Sequence, residues 1–247
     1  MQFKECIEKY LQRHHYPALQ VKTILFDMDG VLYDSMPAHA ISWERTVREL
    51  GIACQVEEFY QYEGQTGRQT ISQLFQRGFG RPSSDEENKK VYEQKTKYFT
   101  ALGPAPIMNG AREVLNQTLT AGFTPVLVTG SGQPSLLDKL EHNFPGVFIR
   151  ERMVTAMDVE KGKPHPEPYL RGLQKTNAHP FEAIVIENAP LGVRAAVAAG
   201  IFTIAVNTGP LSEKQLYDEG ADIVLSGMEE LNNRFDELLN AIREARN

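Results

Sequence analysis

Short, almost uninterrupted runs of apolar and β-branched residues recur along this chain, and each is followed by a stretch with helical spacing. Thr23–Phe26, Pro125–Thr129, Ala183–Glu187, Thr203–Val206 and Asp222–Leu225 are the clearest runs, with a weaker one at Arg152–Thr155. A strand that alternates apolar and polar residues buries one face; these runs leave no polar face, as expected of parallel strands covered on both sides. Between them, Ala111–Ala121, Pro134–Asn143, Pro166–Lys175, Leu191–Ala199 and Glu229–Arg243 have helical spacing. The alternation predicts an α/β fold with a doubly wound, Rossmann-like parallel sheet.

Residues 35–103 break that rhythm. Ile41–Leu50, Arg68–Gln76 and Glu86–Leu102 read as helices with no strand between them, and Gly103-Pro104-Ala105-Pro106 closes the stretch with a stiff segment. The expected organisation is a core of 21–34 and 104–247, a small inserted helical cap of 35–103, and an N-terminal extension of 1–20. The extension reads as an amphipathic helix (Phe3, Ile7, Tyr10, Leu11) laid on the surface.

Composition narrows the partners. A net charge of −6 and the lack of any Lys/Arg run leave no electrostatic footprint for nucleic acid. No apolar run is long enough to cross a bilayer, and the polar N-terminus does not read as a secretory leader. Two cysteines without metal-type spacing fit a reduced, cytoplasmic setting. The expected partner is a small molecule.

Four strand ends carry the chemistry. Phe26-Asp27-Met28-Asp29-Gly30 leaves the first strand with two carboxylates two residues apart, which in extended chain point the same way. Ligands bind at the carboxyl ends of strands in open α/β sheets. Val128-Thr129-Gly130-Ser131-Gly132 offers a hydroxyl and free amides ahead of a helix, an anion site or an ordinary N-cap turn. Lys163 lies in a proline-stiffened segment, Lys161 to Tyr169, where a lysine can neutralise a phosphate as a point charge. Glu187-Asn188 ends another strand with oxygen donors suited to Mg²⁺; Asn188 could also cap the following helix.

In this order the four motifs resemble the signature of the haloacid dehalogenase superfamily of phosphotransferases, over nearly all of residues 21–227, and within it the β-phosphoglucomutase and sugar-phosphatase branch. The resemblance implies Asp27 as nucleophile and Asp29 as general acid/base. Thr129 and Lys163 would hold the transferring phosphate, with Gly130 and Ser131 beside them. Asp27, the Asp29 carbonyl and the Glu187–Asn188 pair would hold Mg²⁺. In the cap, His39 would help position the site, and Arg68 and Lys95 would contact the substrate's second phosphate or sugar, with Lys97 as a substitute for Lys95.

Two departures stand out. The mutase pattern has an aspartate where this chain has Asn188, so Asn188→Asp is expected to lower the Mg²⁺ requirement. The loop Gly64 to Arg68 is one residue longer than the pattern. The functional expectation is a phosphatase acting on a small sugar phosphate, with a β-phosphoglucomutase as the alternative. A catalytically silent phosphometabolite-binding module is the alternative from another class.

Overall fold

The structure is a computed structural model that describes residues 3–132 and 136–245. Its framework is a six-stranded, wholly parallel sheet in the order β3-β2-β1-β4-β5-β6. The strands are β1 (Thr23–Phe26), β2 (Thr124–Val128), β3 (Met153–Val154), β4 (Ala183–Glu187), β5 (Phe202–Val206) and β6 (Ile223–Leu225). All six expected strands are present. The Asp222 carboxylate accepts from the Thr203 amide, so this residue ties β5 to the start of β6 rather than lying within the strand.

The helices are α1 (Phe3–His14), α2 (Met36–Glu49), α3 (Gly67–Phe79), α4 (Asp85–Ala101), α5 (Ala111–Thr120), α6 (Leu136–Asn143), α7 (Glu167–Thr176), α8 (Pro190–Ala198), α9 (Glu213–Asp218), α10 (Met228–Asn233) and α11 (Phe235–Glu244). The expected start of α6 at Pro134 lies outside the described residues. The stretch 229–243 is two helices rather than one, broken at Arg234, whose guanidinium bridges Glu230 behind it and Glu237 ahead.

Successive strand residues point to opposite faces, and both faces are buried. Ile24, Phe26, Leu127, Ile184, Ile186, Phe202 and Ile204 join a large core with α1, α5, α10 and α11. Leu25, Val126, Val128 and Val185 join a second with Tyr169 and Leu173 of α7 and with Ala195 and Ala196 of α8. That is the three-layer arrangement the unbroken apolar runs predict.

The α1 helix is more than a surface layer. Phe3, Ile7 and Tyr10 are fully buried within the larger core, and Tyr10 Oη donates to the Gly200 carbonyl at 2.8 Å.

Between β1 and α5, helices α2, α3 and α4 share an apolar cluster of their own: Trp43, Val47, Phe59, Ile71, Leu74, Phe75 and Val91. The α3 and α4 helices each begin with a capping box, Thr66 with Gln69 and Ser84 with Glu87.

From β1 the chain passes to β2 and β3 on one side of the sheet, then crosses to β4 on the other. Such a reversal opens a crevice at the strands' carboxyl ends. Phe26 pairs with Leu127 and with Ile186, so the residues that follow β1, β2 and β4 leave the sheet at one level.

Candidate active site

At that level Asp27 is buried, its Oδ1 accepting from Lys163 Nζ at 2.5 Å. Lys163 Nζ also donates to Glu187 Oε1 at 2.5 Å and to the Val128 carbonyl at 3.3 Å. Burial alone would lower the Lys163 ammonium, but contact with Asp27 and Glu187 outweighs it and raises the group above its ordinary value. Asp27 is pushed up, by burial first and by Glu187 and Asp29 as well, with Lys163 opposing.

Asp29 behaves differently. Burial pushes its carboxyl up, but His39 Nε2 at 3.3 Å, the Ser35 hydroxyl at 2.5 Å and the nearby Lys95 outweigh it and hold the group below the usual carboxylate range. His39 itself is lowered by burial and then by Lys95, whose Nζ lies 2.6 Å from its Nδ1. A neutral imidazole satisfies both contacts, accepting from Lys95 at Nδ1 and donating to Asp29 at Nε2. Lys95 lies over the rings of Phe99 and Trp43, and burial lowers it to about 8. Lys97, its sequence alternative, is exposed.

Thr129 is buried at the end of β2, and its Oγ1 accepts from the Ser131 amide at 3.1 Å, an ST turn that shapes the Gly130–Ser131 loop. Gly130 lies so close to the insertion that a Cβ there would sit 2.8 Å from the Gln65 carbonyl and 2.9 Å from that of Gly64.

Glu187 and Asn188 divide the work assigned to them jointly. Glu187 is fully buried; its Oε1 accepts from Lys163 and from Tyr169 Oη at 2.7 Å, and its Oε2 from the amides of Asn188 and Ala189 at 2.9 and 3.1 Å. With about four acceptor positions filled, this carboxylate braces Lys163 and the start of α8. Gly192 is needed here, since a Cβ would fall 1.8 Å from Glu187 Oε1. Asn188 is the opposite case: Nδ2 donates to Glu63 at 2.7 Å, and Oδ1 is buried with no hydrogen-bond partner among the described residues.

A cleft of about 610 Å³, its open mouth included, lies between these strand ends and the insertion. Asp27, Asp29, His39, Gly130 and Ser131 line it on the reactive side; Trp43, Phe59, Tyr62 and Tyr92 line the rest, and Lys95 is the one Lys or Arg among its lining residues. That volume suits a small metabolite. Arg68 does not reach it. Its side chain is 74% exposed and pairs with Asp85 at 2.7 Å. Sequence reasoning missed Glu63, which is buried beside Asn188 although it belongs to the insertion. Nothing local marks it, because a lone glutamate before a glycine reads as a solvated turn.

A parallel α/β sheet with two carboxylates and a buried lysine at its strand ends, roofed by helices inserted after the first strand, defines a class of hydrolases. Residues 24–206 match the family model for haloacid dehalogenase-like hydrolases. The chain belongs to that family and is an enzyme of its phosphatase and phosphomutase type.

It is 33% identical over 218 residues to hexitol phosphatase A of Escherichia coli K12, covering 86% of this chain and 94% of that protein. It is 30% identical to validoxylamine A 7'-phosphate phosphatase of Streptomyces hygroscopicus, over 76% of this chain and 86% of the relative. A solved structure from Bacteroides vulgatus, provisionally named a beta-phosphoglucomutase, superposes with a TM-score of 0.94 at 50% identity, covering 98% of both chains. Among the described residues, no helix is long and apolar enough to cross a membrane.

Proposed function

We propose that this enzyme is a Mg²⁺-dependent phosphatase that hydrolyses a small sugar or sugar-alcohol monophosphate through a phosphoryl group carried on Asp27. Residues 35–103 serve as the cap that encloses the substrate. The observation that carries this reading is the cleft itself: it offers two differently tuned carboxylates at the reactive end, and Lys95, beside His39, is the one Lys or Arg among the described residues that line it. A mutase must hold a second phosphate, and with Arg68 paired to Asp85 that task falls, among the described lining residues, to Lys95. The aromatic walls suit the apolar faces of a polyol. Hexitol phosphatase A and validoxylamine A 7'-phosphate phosphatase point the same way by name.

The Asp27 carboxylate attacks phosphorus as the ester P–O bond breaks, and the departing sugar oxygen takes a proton from Asp29. Asp29 then takes a proton from water, whose oxygen bonds to phosphorus as the bond to Asp27 breaks and phosphate leaves. His39, Ser35 and Lys95 hold Asp29 low; a phosphate brought beside it raises its proton affinity by like-charge repulsion, as the acid role requires. Lys163 and the amides after Thr129 face the charge that develops.

Among the described residues no group of three or more His, Cys, Asp and Glu side chains is arranged to hold a metal. Mg²⁺ asks for less, one or two carboxylates beside phosphate and water. Asp27, the Asp29 carbonyl and the unpartnered Asn188 Oδ1 fit that requirement. Mg²⁺ held there supplies positive charge against the phosphoryl oxygens.

Asp27→Asn should abolish turnover, while Asp29→Asn should slow it by roughly 10²–10⁴. A trapped phosphoryl group should map to Asp27 by mass spectrometry; mapping elsewhere would remove the mechanism. The second half-reaction is decided by offering β-glucose 1-phosphate with a trace of glucose 1,6-bisphosphate, beside a panel of hexose and hexitol phosphates. Free phosphate is the expected product. Glucose 6-phosphate forming much faster than phosphate would overturn the phosphatase reading in favour of the mutase that the Bacteroides vulgatus structure is named for.

A further inference from the structure

Glu63 has no part in the chemistry above, yet it is buried at its centre. It lies on the turn between the short helical stretch Val56–Tyr60 and α3, and its carboxylate crosses the cleft to the end of β4. Among the described residues its Oε1 has one hydrogen-bond partner, Asn188 Nδ2 at 2.7 Å, and no Lys, Arg or His pairs with it. Burial pushes its carboxyl well above the usual carboxylate range, and Asp27, Glu187 and Asp29 push the same way, with the Asn188 contact opposing.

The contact fixes Asn188. Its Nδ2 can only donate, and a carboxylate oxygen accepts; turning the amide over would set oxygen against oxygen. The nitrogen therefore faces the insertion, and Oδ1 faces away from Glu63, buried and without a protein donor. The pair is seated against the backbone that follows the Asp29 carbonyl: a Cβ at Gly30, whose φ is +85°, would lie 1.9 Å from Asn188 Nδ2 and 3.0 Å from Glu63 Oε1. Neighbouring residues press the same segment onto the strand ends. A Cβ at Gly64 would meet Lys163 Cδ at 2.9 Å, and one at Gly162 would meet Gln69 Oε1 at 2.5 Å.

We propose that Glu63 is a positioning residue of the cation site: reaching in from the insertion, it holds the Asn188 amide with its oxygen toward the cation. This rests on the cation reading given above. Seating of the 63–67 segment and cation binding then reinforce each other. The expectation for Asn188→Asp changes as well. An aspartate there would set oxygen against oxygen where Nδ2 now donates at 2.7 Å, so the contact that orients residue 188 is lost. The amide suits a site whose metal-facing oxygen is oriented from the insertion.

The test is calorimetric titration of Mg²⁺ into the full chain without substrate, for wild type, Glu63→Ala, Glu63→Gln, Asn188→Asp and the double variant Glu63→Gln/Asn188→Asp. Hydrogen exchange over residues 60–70 is followed with and without Mg²⁺. Glu63→Ala should weaken Mg²⁺ by about 10-fold or more, the usual effect of losing a group that orients a metal ligand. Glu63→Gln, whose amide oxygen still accepts from Asn188, should weaken it less. Asn188→Asp should bind no better than wild type, and the double variant should bind more tightly than Asn188→Asp. Mg²⁺ should slow exchange at 63–67 in wild type and not in Glu63→Ala.

Equal affinity in wild type and Glu63→Ala would overturn the proposal. So would tighter binding by Asn188→Asp with nothing added by Glu63→Gln. A wild-type chain that binds no Mg²⁺ would instead overturn the cation reading beneath it.

Discussion

Lys95 occupies a place that costs the fold stability. Its ammonium is buried, stacked on Phe99 and Trp43, and bonded to an imidazole rather than a carboxylate. Burial brings its pKa from 10.5 to about 8. Between those values the unfolded chain binds more protons at this residue than the folded one, so its contribution makes stability rise with pH across that window. Lys95→Met removes the contribution. The margin by which Lys95→Met exceeds wild type in unfolding free energy should therefore be widest at pH about 7 and shrink by pH about 10. Urea denaturation at the two values checks it, and an unchanged margin would mean that Lys95 carries no depressed pKa.

The placement of Asp27, Asp29, Thr129 and Lys163 was legible because each sits at a strand end or on a proline-stiffened segment, where local pattern fixes position. Arg68 and Glu63 were not. Both lie near the one-residue-longer loop, and which side chain of a loop turns inward depends on packing across the cleft. Arg68 found Asp85 in solvent, and Glu63 found Asn188 inside.

Elements were legible where period and punctuation agree. The strand runs leave no polar face, and Pro190 marks the first turn of α8. The short α9 helix escaped because six residues carry too little periodicity, although Ser212 and Gln215 form its capping box. Contacts between elements are where glycine matters most. Gly130 has no unusual φ, so an added methyl meets no backbone strain of its own. It would instead press on two carbonyls of the 64–65 segment, which are main chain and cannot swing aside. Gly130→Ala should therefore lift that segment while leaving the sheet intact. The expected result is a fall in kcat/KM for a sugar phosphate of about tenfold or more, since misplacement by an ångström can cost 10²-fold. The thermal midpoint should change little. Unchanged kinetics would show that the segment's seat on Gly130 has no role in catalysis.

At the scale of the whole molecule, the alternation of strands and helices gives the doubly wound sheet, and the break in rhythm at 35–103 gives the helices over its strand ends. Strand order is another matter. That β1 lies between β2 and β4 follows from the crossover of the chain after β3, which no local pattern encodes. The N-terminal helix was legible as amphipathic, but not as part of the main core, because amphipathicity gives a face and not its partner.

Here the partner is the sheet's larger core. Phe3, Ile7 and Tyr10 are fully buried, Tyr10 packs edge-on to Phe202 of β5, and α1 lies against α11. Arg13 pairs with Asp222 at 2.5 Å, and the same carboxylate accepts from the Thr203 amide, so α1 also braces the junction of β5 and β6. Each large apolar side chain withdrawn from water contributes on the order of 2 kcal/mol. A chain lacking residues 1–16 should therefore unfold on the order of 10 °C lower, at about 2–4 °C per kcal/mol for a protein of this size. It should also aggregate on warming, because the strip of core left uncovered is apolar. Turnover per folded molecule should hold at low temperature, since none of the residues lining the cleft lies on α1. Thermal unfolding beside a cold activity assay separates the two effects. A truncated chain with the wild-type midpoint would show that α1 merely rests on the core, and one that is fully folded yet inactive would tie α1 to the strand ends.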